Sequence, residues 1–226
     1  MFIAVGIIIL LGIVFGPQLW VKSMLARHGV DRSDIPGTGG ELAKHLVERY
    51  GLDNVIVEET DMGDHYNPET KAICLSEKTF HGFSVTAVAV AAHEFGHALQ
   101  DANGEVGLKT RQRLATIAMA SDKIASVFFL AAPLLAVVAR SPIALFGLAA
   151  IGIALLGVRV LVHLVTLPVE YDASFSKALP ILKEGGYLKE EDMPAARGVL
   201  KAAALTYVSG ALMSLLDLAR WVRVLR

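Results

Sequence analysis

Four long apolar runs interrupt the chain, Phe2 to Trp20, Ile117 to Ala139, Pro142 to Leu167 and Val199 to Leu218. At about 1.5 Å rise per residue each is long enough to predict a bilayer-crossing helix. The second and third are joined by Arg140-Ser141-Pro142 alone, a link that predicts a tight helical hairpin. Between Lys22 and about Lys109 the pattern changes. Asp31-Arg32-Ser33-Asp34 and Pro36-Gly37 read as a linker, and Thr38-Gly39-Gly40-Glu41 reads as a capping box opening an amphipathic helix that runs to about Tyr50. Val55-Ile56-Val57 and Ala72-Ile73-Cys74-Leu75 predict two strands separated by the turn Asn67-Pro68-Glu69-Thr70. Ser84 to Gln100 predicts a helix whose first turns are almost wholly apolar, and which is therefore buried. The strand just before that helix offers an edge on which an extended peptide can pair, and a plain two-stranded ribbon fits the residues as well.

These elements give a mainly α membrane protein with about three to four transmembrane helices and a small α+β portion whose short strands precede the central helix. The expected organisation is an anchor at 1–21, a catalytic portion at 22–115, a helical hairpin at 116–167, a further helix and linker at 168–198 and an apolar helix at 199–226. The first run reads as a retained anchor, since only Met1 precedes it and its exit is Gly16-Pro17-Gln18, without the basic start and small-residue exit of a cleaved signal.

Composition agrees with the apolar pattern: of 226 residues 54% are hydrophobic and 19% charged, and the mean hydropathy is +0.53. A formal net charge of −1 gives no case for nucleic acid as a partner. The single cysteine, Cys74, excludes an internal disulfide and reads as part of a strand core.

Within the buried helix stands His93-Glu94-Phe95-Gly96-His97. Positions four apart lie one above the other on a helix, so His93 and His97 can share one Zn²⁺, with Glu94 beside the open coordination position as general base. Two histidines and a glutamate in an apolar helix are costly unless something binds or pairs with them, and a metal does both. A catalytic zinc keeps three protein ligands, so a third is required on the same side of the membrane. Two crossings by the hairpin return the chain to that side just after Leu167, where Glu170 and Asp172 stand. Two residues apart on a helix, they point in nearly opposite directions. Glu170 is expected as the ligand, because it continues the polar stripe Arg159, His163, Thr166, Glu170, and Asp172 as an acceptor that fixes an imidazole.

Arg159 lies inside an apolar run, where ionisable groups need partners. Folding the hairpin about Ser141 brings Asp122 to its depth, predicting a structural ion pair Asp122–Arg159; snorkelling of both charges to the interface is the other reading. In the last run Tyr207 is a candidate donor to a tetrahedral oxyanion, or else an amphipathic tyrosine at an interface.

His93 to Asp101, Asp64-His65-Tyr66-Asn67-Pro68, Leu75-Ser76-Glu77, Pro168 to Ser174 and Ala203 to Val208 together resemble the YugP-type family of membrane zinc metallopeptidases across essentially the whole chain. The plan is also similar to the HtpX-type membrane proteases of the gluzincin group. The resemblance implies a zinc-dependent peptidase with Glu170 as third ligand and Glu94 as base, and the first functional reading is a membrane-anchored zinc endopeptidase acting on peptide or protein substrates in or near the membrane. It departs at Ser174, where the HtpX-type pattern E-x-x-x-D has its aspartate.

Lys22, Arg27, Arg32, Lys109, Arg111, Arg113, Lys177 and Lys183 flank the spans on one side, against Arg140 on the other, which predicts a cytoplasmic catalytic side in a prokaryotic plasma membrane. The tail residues Arg220, Arg223 and Arg226 conflict with this if the last run spans. Two other classes are carried alongside. One is a site-2-type intramembrane protease with Asp217 as third ligand, and the other is a non-catalytic scaffold that keeps metal for structure. Oligomeric state is not legible.

Overall fold

The computed structural model describes residues 2–139 and 141–224, with side-chain surroundings for most of residues 15–128 and 151–212. The protein is mainly helical. The elements in order are α1 (Phe2–Arg27), α2 (Gly39–Arg49), β1 (Ile56–Glu59), β2 (His65–Asn67), β3 (Ala72–Leu75), α3 (Glu77–Phe80), α4 (Val85–Ala102), α5 (Val106–Ala139) and α6 (Pro142–Tyr171). A π-helical segment (Asp172–Ala178), α7 (Leu179–Gly185), a 3-10 turn (Glu190–Asp192) and α8 (Met193–Val224) complete the chain.

Contacts divide it into two units. One takes in Met1–Gly16, Thr110–Leu167 and Tyr207–Arg226; the other takes in Pro17–Lys109 and Pro168–Thr206. In the first, α5 ends at Ala139 and α6 begins at Pro142, as the short link predicts. Among the described residues one helical stretch, Ala150–Gly185, is long and apolar enough to cross a membrane. The expectation of three to four spans rests in large part on side chains outside the described set. The side chains of Asp122, Arg159 and Asp217 also lie outside the described residues, and with them the proposed intramembrane ion pair and the alternative third ligand.

The second unit carries the sheet. Its helix α2 starts at the expected capping box, with the Glu41 N–H donating to Thr38 Oγ1 at 3.1 Å and the Thr38 N–H donating to Glu41 Oε2 at 2.8 Å. The linker before it is pinned rather than loose, since Arg32 donates to both Asp34 and Asp192. The two expected strands are joined by a third, β2, and the order is β1-β3-β2. β1 pairs parallel with β3, Ile56 opposite Ala72, and β2 pairs antiparallel with it, Tyr66 opposite Ile73. This corrects the two-stranded ribbon. β3, the strand just before the helix that follows, is central and has no free edge, because its N–H and C=O groups face strands on both sides. The extra strand carries a single buried residue, Tyr66, too short a pattern for alternation to reveal.

All four residues of β3 are buried, and the Cys74 thiol donates to Glu58 Oε1. Burial and the neighbouring carboxylate push that thiol up to about 11, which keeps it protonated and unreactive at neutral pH. Ile73, Leu75, Leu46, Phe95, Leu182, Val199 and Leu200 form the centre of the core, between the sheet and the helices packed on α4.

Candidate metal centre

Helix α4 begins with Ser84 as its N-cap, its side chain accepting from the Ala87 N–H at 3.0 Å. The C-terminal end of α1 helps close the same helix start: the Thr86 N–H donates to His28 O and the Thr86 hydroxyl to Leu25 O. From Ala87 to Ala98 every residue of α4 is buried. His93 and His97, four residues apart, stand with ring centroids 4.8 Å from each other.

Glu170, one residue before the end of α6, completes the group. Its Oε2 lies 3.2 Å from His93 Nε2 and 3.3 Å from His97 Nε2. The three residues are 4%, 2% and 1% exposed. A close backbone approach makes this possible: a Cβ on Gly96 would lie 2.7 Å from Ala173 O, so only glycine lets the π-helical segment pass so near α4. π-helical turns are rare and recur at functional sites. This one begins two residues after Glu170.

The hydrogen bonds fix both imidazoles in one tautomer. The Gln100 amide nitrogen donates to Val169 O at 3.0 Å and to Asp172 Oδ2 at 2.8 Å, so its Oε1 is the acceptor for His97 Nδ1–H at 2.8 Å. Ser174 has one hydroxyl hydrogen, donated to Leu200 O at 3.1 Å, so its oxygen accepts from His93 Nδ1–H at 3.0 Å. Each ring therefore turns an Nε2 lone pair toward Glu170 Oε2. Three electron-rich atoms converging in a buried site is an arrangement that a cation stabilises, and nitrogen and carboxylate donors in this number fit zinc. His93, His97 and Glu170 could hold a metal ion, their ligand atoms all within 4.8 Å of one another.

Asp172 meets an imidazole at one remove. It accepts from Gln100 and from Lys177, which also pairs with Glu105 Oε1 at 2.9 Å. Gln100 and Ser174 are the two functional residues the sequence reading does not single out. The signal for both was spacing: Gln100 stands three residues after His97, and Ser174 four after Glu170, at the position where the E-x-x-x-D pattern has its carboxylate. Glu94 is buried on the same helix as the two histidines. Tyr207 belongs to the other unit, where its phenol oxygen accepts from Arg111 and its ring lies 6.0 Å from that of His163.

At the far end of α4, Asp101 accepts from the Tyr66 hydroxyl at 2.7 Å and from Lys71 Nζ at 2.6 Å. Lys71 holds the turn between β2 and β3 in a left-handed conformation, φ 56°. The hairpin is thereby tied to the helix that carries the histidines.

A family model described as "Putative neutral zinc metallopeptidase" matches residues 2–226. The chain is 35% identical over 216 residues to "Putative membrane protease YugP" of Bacillus subtilis (strain 168), a match covering 95% of this chain and 92% of that protein. No solved structure matches.

Proposed function

We propose, starting from the fact that this chain belongs to the neutral zinc metallopeptidase family, that it is a membrane-anchored, zinc-dependent endopeptidase of the glutamate-ligand kind. The observation that carries the reading is the convergence of His93 Nε2, His97 Nε2 and Glu170 Oε2, with both imidazoles held from behind. His93, His97 and Glu170 would be the ligands. Zinc bound there would act as a Lewis acid and lower the pKa of a coordinated water to about 7.

The protein's own groups supply the rest. The Glu94 carboxylate takes the proton from the attacking water and passes it to the leaving amine. Gln100 and Ser174 keep the two rings in the tautomer that leaves Nε2 free of hydrogen, and Asp172 holds the Gln100 amide in place. The Tyr207 phenol is the candidate donor to the developing oxyanion. Since β3 is central, an extended substrate pairs on an outer strand. β2 is the better candidate, because it is tied to α4 through Tyr66 and Asp101. The apolar runs support a site at a membrane surface, and the distribution of basic residues supports a cytoplasmic one; such a site suits membrane or membrane-proximal peptide substrates.

Glu94→Gln tests the assignment. Zinc content should remain at the wild-type level while peptide hydrolysis falls by roughly 10²–10⁴-fold; retained activity, or loss of zinc, would remove Glu94 as the base. Loss of zinc in Glu170→Ala with retention in Asp217→Ala supports this reading over an intramembrane site with an aspartate ligand, and the reverse result would overturn it. Tyr207→Phe should lower turnover with zinc content unchanged.

A further inference from the structure

Arg197 and Lys201 stand four residues apart on the exposed side of α8, where like charges repel. Other cations of the same unit are committed to carboxylates: Arg32 to Asp192, Lys71 to Asp101, Lys177 to Glu105, Lys189 to Asp34. Arg197 and Lys201 have no such partner among the described residues; each lies instead against an aromatic ring. The Arg197 guanidinium is 5.7 Å from the centre of Phe175, and Lys201 Nζ is 6.0 Å from that of Trp20. Tyr171 extends the row, its ring 4.4 Å from that of Phe175. Trp20 and Tyr171 are both exposed.

α1, the end of α6, the π-helical segment and α8 thus contribute to one stripe of two cations and three exposed or half-buried rings. Trp20, Tyr171 and Lys201 each lie only a few residues from the point where their helix passes into the apolar unit. Amphipathic rings at that level, with cations beside them, match the chemistry of a headgroup region, where phosphate meets glycerol and the first methylenes.

We propose that this face of α8 binds the phosphate of an anionic phospholipid, with Arg197 and Lys201 as its cations and Trp20 and Tyr171 flanking the glycerol. The proposal rests on the membrane-anchored reading. A lipid fits better than a soluble anion because the rings offer apolar surface beside the charge, which a free phosphate cannot use.

The full-length chain, reconstituted in nanodiscs of phosphatidylcholine and phosphatidylglycerol in equal parts and then extracted in mild detergent, would be analysed for co-purifying lipid by mass spectrometry. Wild type should be enriched in phosphatidylglycerol, and Arg197→Gln with Lys201→Gln should lose that enrichment on the order of tenfold. The exchange Arg197→Lys with Lys201→Arg should keep it. So should Lys78→Gln with Lys183→Gln, which removes the same charge elsewhere, with circular dichroism checking that each variant folds. Equal enrichment in the Arg197/Lys201 glutamine variant and wild type, or equal loss in the charge-matched control, would overturn the proposal. So would displacement of the lipid by millimolar glycerol phosphate. Extraction of the wild type from membranes by alkaline carbonate would instead refute the membrane reading itself; insertion with no lipid preference refutes only the headgroup site.

Discussion

A primary amide can accept from an imidazole N–H while its own two hydrogens go elsewhere. Gln100 uses all of that capacity in one buried place, joining His97 to the backbone just before Glu170 and to Asp172. Gln100→Leu keeps the volume and removes the acceptor, leaving the His97 Nδ1–H buried without one. Zinc affinity, measured by competition with a chelator, should fall about 10–100-fold, and Gln100→Glu should restore most of it. Unchanged affinity in the leucine variant would show that the ring is held by packing alone. The metal-binding group was legible in part: His93 and His97 because the chemistry fixes their spacing, and Glu170 because the polar stripe and the hairpin point to it. Gln100 and Ser174 were not singled out: their spacing from His97 and Glu170 is visible in the sequence, but which way a ring nitrogen faces, on which their hydrogen bonds depend, is not. Asp172 was expected to accept from an imidazole, and the structure interposes the Gln100 amide between it and the His97 ring.

At the scale of elements, the decisive contact is between α4 and the π-helical segment. With Gly96 absent of side chain, Ala173 O approaches to where a Cβ would stand at 2.7 Å. Gly96→Ala should force the segment away, destabilise the protein by about 1–3 kcal/mol and empty the metal site. Thermal unfolding and zinc content would check this together; a stable alanine variant with full zinc would mean that the segment can shift without moving Glu170. The capping box of α2 and the apolar start of α4 were readable from local rules. β2 was not, since a three-residue strand forms only because β3 offers it a partner. The central position of β3 follows from the same pairing, so the free edge expected on it is absent.

At the scale of the whole molecule, His93, His97 and Glu170 all fall in the unit that holds the sheet. Metal removal should therefore act on one unit only. Zinc at a thousand times its dissociation constant stabilises the state that binds it by about 4 kcal/mol. Chelation should accordingly raise hydrogen exchange in α4 and in residues 170–178 while leaving amides of α5 and α6 within the other unit unchanged; equal loss in both would contradict the assignment. Hydropathy displayed the apolar runs, and the run that ends at Leu167 stops at the unit border inside α6, but the borders inside α1, α5 and α8 leave no break in the pattern. The separation of the ligands along the chain has a further consequence. His93 precedes Glu170 by 77 residues, with α5 and most of α6 between them. At the usual 5–20 residues per second of synthesis, the histidine pair exists for roughly 4–15 s before its carboxylate is made. A ribosome-bound chain therefore carries half of the candidate metal site until the helical hairpin between its ligands has been made.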